Sequence, residues 1–316
     1  MICYFSYSRS LGFGVGTGIR NKCIAPLGMA YDCHVHLYEE YQAHELAWNR
    51  PSMHLWKAHN IDSYPGTDSV VFVEVDRKHD LQKERWEGCI EEYEYACKIE
   101  RVGAVIAWAP MPLGREVMQK YIEQLPPKVK GIRYLLQDKP QGTALQPKFL
   151  ESLQLLAERG YIFEFGVDTN GAGPWQIREC IEALDILESK GAKGRYVVDH
   201  MGRTPYRKMD LMPEWTGLMR QLGTHSNVWC KLSGNLTELP EDILADFDAI
   251  VKTITEPIGT VIEAFSGRCM FGSDWPVCTF SGSYDLWYRV LKRALQELGH
   301  DTDAIWHGNA EQVYGI

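Results

Sequence analysis

From Tyr31 onward the chain alternates two kinds of apolar pattern. Short runs that are apolar at nearly every position, such as Val70-Val71-Phe72-Val73, read as strands covered on both faces. Between them lie longer stretches in which apolar residues return every three or four positions, as on one face of a helix. The strand-like runs are Tyr31–Leu37, Ser69–Asp76, Ala104–Met111, Val129–Leu136, Tyr161–Asp168, Arg195–Gly202, Asn227–Gly234 and Arg268–Val277. Their starts fall 38, 35, 25, 32, 34, 32 and 41 residues apart, the length of a strand plus its returning helix. Helices are expected over residues 80–100, 147–159, 175–190 and 283–298. The second of these places Phe149, Leu150, Leu153, Leu156 and Ala157 at helical spacing before Gly160, and the third runs from Pro174 to Gly191. Eight such units with no break in composition predict an α/β fold, a single (β/α)8 TIM barrel over residues 31–316, with an open doubly wound sheet as the alternative.

Residues 1–30 stand apart as an N-terminal extension. They carry Gly12, Gly14, Gly16 and Gly18, but without the preceding strand and following helix of a nucleotide loop. Hydrophobic residues make up 45% and charged residues 24% of the 316, which excludes disordered, collagenous and coiled-coil chains. The balance of 33 basic against 42 acidic residues, a net charge of −9 with no basic block, argues against nucleic-acid and anionic-membrane partners. No apolar run approaches the roughly 20 residues of a membrane span. The nine cysteines contain no Cys-x-x-Cys pair, and several lie inside apolar runs. They read as reduced, buried thiols of a cytoplasmic protein.

In a barrel of this kind the chemistry sits at the C-terminal ends of the strands. The first run reads Asp32-Cys33-His34-Val35-His36, and strand alternation points His34 and His36 together into the mouth, where two imidazoles can hold one divalent cation. The eighth ends Ser273-Asp274-Trp275-Pro276, and an acid there is expensive to bury unless it binds metal, pairs or moves protons. The sixth ends Val198-Asp199-His200, where alternation turns His200 inward and sends Asp199 the other way. Lys231 is a cation inside an apolar strand and needs an anion or a ligand oxygen nearby. The segment Glu39–Ser63, with His44, His54, His59, Trp48 and Trp56, is a lid candidate whose histidines read as solvated.

The conjunction of His34-x-His36, His200 and Asp274, with Lys130-Gly131-Ile132-Arg133, Lys231-Leu232-Ser233-Gly234 and Gly308-Asn309-Ala310, resembles the amidohydrolase superfamily. More narrowly, it is similar to the amidohydrolase-related sugar lactonases of the L-rhamnono-γ-lactonase and L-fuconolactonase type. The resemblance implies that His34, His36 and Asp274 ligate one divalent metal ion, zinc first, with a metal-free mechanism as the alternative. It implies Asp274 as general base, with His200 and Arg133 as further catalytic groups, and a small-molecule sugar lactone as substrate. Lys231, Glu164 and Trp275 are the expected substrate contacts; Glu164 and Glu74 are each able to complete a mononuclear site. The oligomeric state stays open, a homo-oligomer included. The rival activity on this fold is a metal-dependent non-oxidative decarboxylase.

Overall fold

The computed structural model describes residues 30–66 and 69–316. All but the last residue of the expected N-terminal extension lies outside the described residues. Eight strands follow in the predicted order: β1 Asp32–Val35, β2 Val70–Val73, β3 Val102–Trp108, β4 Val129–Leu135, β5 Ile162–Gly166, β6 Arg195–Val198, β7 Val228–Leu232 and β8 Cys269–Phe271. Each pairs in parallel with the next in chain order. The ring is closed by a parallel bridge between Val35 and Trp275, with Asp274 N–H donating to the His34 carbonyl at 2.9 Å and His36 N–H to the Trp275 carbonyl at 2.8 Å. This is the (β/α)8 barrel, not the open sheet.

The helices are α1 Glu40–Ala43, α2 Glu87–Lys98, α3 Arg115–Ile122, α4 Pro147–Glu158, α5 Trp175–Ser189, α6 Met212–Gly223, α7 Asn235–Glu238, α8 Glu241–Leu244, α9 Phe247–Ala264, α10 Tyr284–Leu298 and α11 Asn309–Tyr314. The boundaries follow local chemistry. Asp246 caps α9 through the Ala249 N–H, Ser283 caps α10 through the Leu286 N–H, and α10 stops at Gly299 in left-handed backbone. The helix expected over 80–100 is shorter, because Asp80 and Arg85 pair their backbones in a tight loop first. Among the described residues, no helix is long and apolar enough to cross a membrane. The described cysteines are all free thiols, and all but Cys97 are buried.

Two apolar layers result. The larger lies between strands and helices; the smaller fills the barrel axis with Cys33, Val71, Val73, Ala104, Ile106, Ile162, Val197, Trp229 and Met270. Helix α11 closes the N-terminal end of the barrel, adding Val313 and Tyr314 to that inner layer. Above it the axis turns polar with Glu164, Lys231 and Arg133, all buried, and this polar column carries the site.

Candidate active site

The seam between β1 and β8 builds the centre. The register slips within β1, where Asp32 pairs with Val70 and Val35 with Phe72. Cys33 lies in the inner apolar layer, yet His34 also faces the mouth. His36 joins it, with ring centroids 4.9 Å apart. Buried Asp32 locks this seam from outside: its Oδ1 accepts from the N–H groups of Ser273 (2.8 Å) and His34 (3.2 Å), and its Oδ2 from the Tyr64 hydroxyl (2.7 Å). Burial pushes the Asp32 carboxyl up to about 6, against the pull of those donors.

Asp274 sits in left-handed backbone (φ 59°) just beyond β8. Its Oδ1 is 3.5 Å from His36 Nε2 and 3.8 Å from His34 Nε2. The Nδ1 of His36 lies 2.9 Å from the Val73 carbonyl, which only an N–H can satisfy. In the neutral ring the Nε2 lone pair then faces a carboxylate oxygen, acceptor against acceptor. A shared cation resolves that opposition. His34 is driven well below the usual imidazole range by burial and by Lys231, so it is neutral with a lone pair to give. His200 is also pushed below the usual imidazole range, by burial first, with Asp274 and Asp199 pulling the other way. Asp274 is held below the ordinary carboxylate range: burial raises it, but His200, His36 and Arg203 together outweigh that, so the group is ionised.

At the barrel mouth two donor sets suit a metal ion, His34 with His36 and Asp274, and His34 with Asp199 and His200. The second set corrects the alternation drawn from sequence. Strand β6 ends at Val198, and a tight turn over Asp199–Gly202 follows in which His200 (φ 54°) and Met201 (φ 56°) are left-handed. Strand alternation therefore does not extend to residue 199. Asp199 faces inward, its Oδ1 3.4 Å from His34 Nδ1 and 3.2 Å from Lys231 Nζ, its Oδ2 3.7 Å from Arg133 Nη1. None of these makes a well-directed hydrogen bond, so both oxygens of a buried carboxylate lack one. His200 also reaches the centre, 4.4 Å from His34 between ring centroids, with Nδ1 2.9 Å from the Ser233 hydroxyl.

The cations are held from behind. Arg133 donates through Nε to Glu74 Oε1 (2.7 Å) and through Nη2 to the Glu74 carbonyl (2.6 Å), leaving Nη1 3.3 Å from His34 Nε2. Lys231 donates to Glu164 Oε2 at 2.6 Å and lies 3.3 Å from His34 Nδ1. Burial would discharge Lys231, but Asp199 and Glu164 outweigh it and hold the ammonium charged. Glu164 is raised to about 7, by burial first. Its Oε1 accepts from the Tyr314 hydroxyl at 2.7 Å. Glu74, Glu164 and Asp199 thus surround these two cations beside the histidine pair and Asp274.

Four sequence expectations change. Lys231 and Glu164 point into the barrel as predicted but have no exposed surface, so they brace His34 and Asp199 from below and do not meet substrate. Glu164 and Glu74 spend their oxygens on Lys231, Tyr314, Arg133 and the Asp76 N–H, which leaves neither as an added metal ligand. Trp275 is a buried rim residue packed edge-on against His59 and Tyr64, not a platform for a sugar ring. In the expected lid, His44 stacks on Trp56 and His54 meets the Thr279 hydroxyl at 2.8 Å. His59 is buried and not solvated. Asp199, Asp32 and Tyr314 were not picked out from sequence. Only Asp32 carried a signal, an acid inside an apolar strand next to the histidine pair.

Residues 31–316 match the Amidohydrolase family model. The chain is 29% identical to an L-rhamnono-gamma-lactonase of Scheffersomyces stipitis, an alignment covering 90% of this chain and 98% of that protein. It is 25% identical to an L-fucono-1,5-lactonase of Burkholderia multivorans, over 71% of this chain and 75% of that protein. Its fold is similar to the crystal structure of a Burkholderia multivorans amidohydrolase with bound zinc, with a TM-score of 0.75 and 22% identity over 92% of this chain and 100% of that one. With the family model spanning the whole barrel, and the histidine pair and Asp274 meeting at its mouth, the chain belongs to the amidohydrolase family.

Proposed function

We propose that the protein opens the ring of a sugar-acid lactone, an aldonolactone such as L-rhamnono-γ-lactone, by attack of water on the ring carbonyl. The observation that carries this is the Asp274 carboxylate, 3.5 Å from His36 and 3.8 Å from His34, in a mouth that also holds His200 and the Arg133 guanidinium. Two relatives named as sugar lactonases support the substrate class. The acceptor-to-acceptor facing of His36 and Asp274 fits one divalent cation held by His34, His36 and Asp274 with His200 beside them. Zinc is the first choice for this nitrogen-rich set. Such an ion, when bound, supplies a Lewis acid for the ring carbonyl and acidifies water.

The chain's own groups do the rest. Asp274 accepts the proton of the water that adds to the carbonyl carbon. Arg133, charged and braced by Glu74, sets positive potential where the tetrahedral oxyanion develops. As the carbon–oxygen bond of the ring breaks, the proton held on Asp274 goes to the leaving ring oxygen, giving the open hydroxy acid. His200, tied to the Ser233 hydroxyl, orients groups at the centre.

The test is acid release at constant pH from a panel of aldonolactones by metal-loaded protein, beside carbon dioxide release from aromatic acids. Lactone opening supports the proposal. Carbon dioxide release without lactone opening replaces it with the decarboxylase.

A further inference from the structure

Beside Asp274, the loops after β5 and β6 and helix α7 form a second polar group that the reaction above does not use. Arg203 follows the turn at Gly202 in left-handed backbone (φ 54°). Its Nη1 lies 3.4 Å from Oε1 of Glu238 and 4.0 Å from Oδ2 of Asp168. The Asn170 Nδ2 donates to Glu238 Oε2 at 2.6 Å. That bond sets the amide orientation and leaves Asn170 Oδ1 buried with no hydrogen-bond partner.

The group adjoins the reacting centre. Gly234, from which α7 starts, packs so tightly on His200 that a Cβ there would fall 2.5 Å from its Nδ1. The Arg203 charge also acts on His34, His200 and Asp274. The side chains of Arg203 and Asp168 keep 26% and 19% of their surface exposed, so the cluster opens toward solvent at the mouth and is not sealed in the core.

Its chemistry is selective. Guanidinium N–H groups donate, while carboxylate and amide oxygens accept, all within a few ångström of one another. A hydroxyl group both donates and accepts, so neighbouring hydroxyls satisfy such a set. An apolar ring leaves its buried groups unpaired. We propose that Arg203, Asp168, Glu238 and Asn170 form the subsite that takes the hydroxyl-bearing carbons of the substrate. This rests on the lactonase reading and adds to it the residues that recognise the hydroxyls of the substrate.

The experiment compares kcat/KM for L-rhamnono-γ-lactone and for γ-butyrolactone, which lacks hydroxyls, in the wild type, Glu238→Gln and Asn170→Ala. The wild type is expected to prefer the hydroxylated lactone by at least 100-fold, because a site built to pair hydroxyls rejects analogues without them. In each variant that ratio is expected to fall at least tenfold, with thermal unfolding of both variants recorded to confirm that they fold. Ratios within threefold of the wild-type value in folded variants overturn the subsite while leaving the lactonase reading intact. A wild type that opens both lactones equally does the same. A wild type that opens neither removes the lactonase reading and the subsite together.

Discussion

Replacing Tyr314 with Phe tests whether the far end of the barrel braces the reacting end. The Tyr314 hydroxyl is the sole hydrogen-bond donor seen at Glu164 Oε1 among the described residues, at 2.7 Å, and both side chains are buried. Glu164 in turn holds Lys231 at 2.6 Å, and Lys231 lies 3.3 Å from His34 Nδ1 and 3.2 Å from Asp199. Removing the hydroxyl deletes a hydrogen bond to an ionisable acceptor and leaves that oxygen unsatisfied in the core. The stability loss is about 2 kcal/mol. For a chain of this size, at about 2.1 cal/mol/K of unfolding entropy per residue, that corresponds to a fall in Tm of about 3 °C. Because His34 is reached only through Glu164 and Lys231, the catalytic effect is the size of an indirect contact, about tenfold in kcat with KM within twofold. Calorimetry and steady-state lactone assays read the two effects separately. Unchanged Tm and unchanged kcat would refute the reasoning, since the column would then hold nothing in place.

Asp274→Asn is expected to fold as the wild type and to lose at least 100-fold in kcat, since an amide cannot take the proton of the attacking water; turnover within threefold would exclude Asp274 as the base. Dialysis against a chelator is expected to abolish lactone opening, and titrating zinc back to restore it. His36→Ala is expected to weaken zinc binding at least tenfold in a competition assay, and full activity in metal-free protein would exclude the cation from the reaction. Asp32 makes a pH prediction. Its folded value of about 6 lies above its ordinary 3.8 because of burial. Folding therefore favours its protonated form, and its contribution to stability is lost as pH rises from about 4 to 6, by about 3 kcal/mol. Denaturant titrations across that range are expected to show the stability gap between wild type and Asp32→Asn shrinking as pH rises; a constant gap rejects the assignment.

The sequence by itself determined the architecture and the candidate ligands. Eight apolar runs at the spacing of a strand and its returning helix leave little room for another fold, since each run must be covered on both faces. His34, His36 and Asp274 were legible because strand ends in a barrel converge on one mouth, whatever the loops do. What lay beyond the last residue of each strand was decided by tertiary structure. Asp199 faces His34 because β6 stops at Val198 and the next turn takes left-handed backbone at His200 and Met201, and no alternation rule reaches past that point. Lys231 and Glu164 were legible as inward-facing. Their depth, and so their bracing role, followed only from where Tyr314 and Trp229 fill the barrel below them. The Asn170–Glu238–Arg203 group joins residues 68 and 35 positions apart, from two loops and helix α7. Hydrogen-bond partners at such separations are set by packing of the loops on the barrel rim, and a one-dimensional pattern carries no record of them.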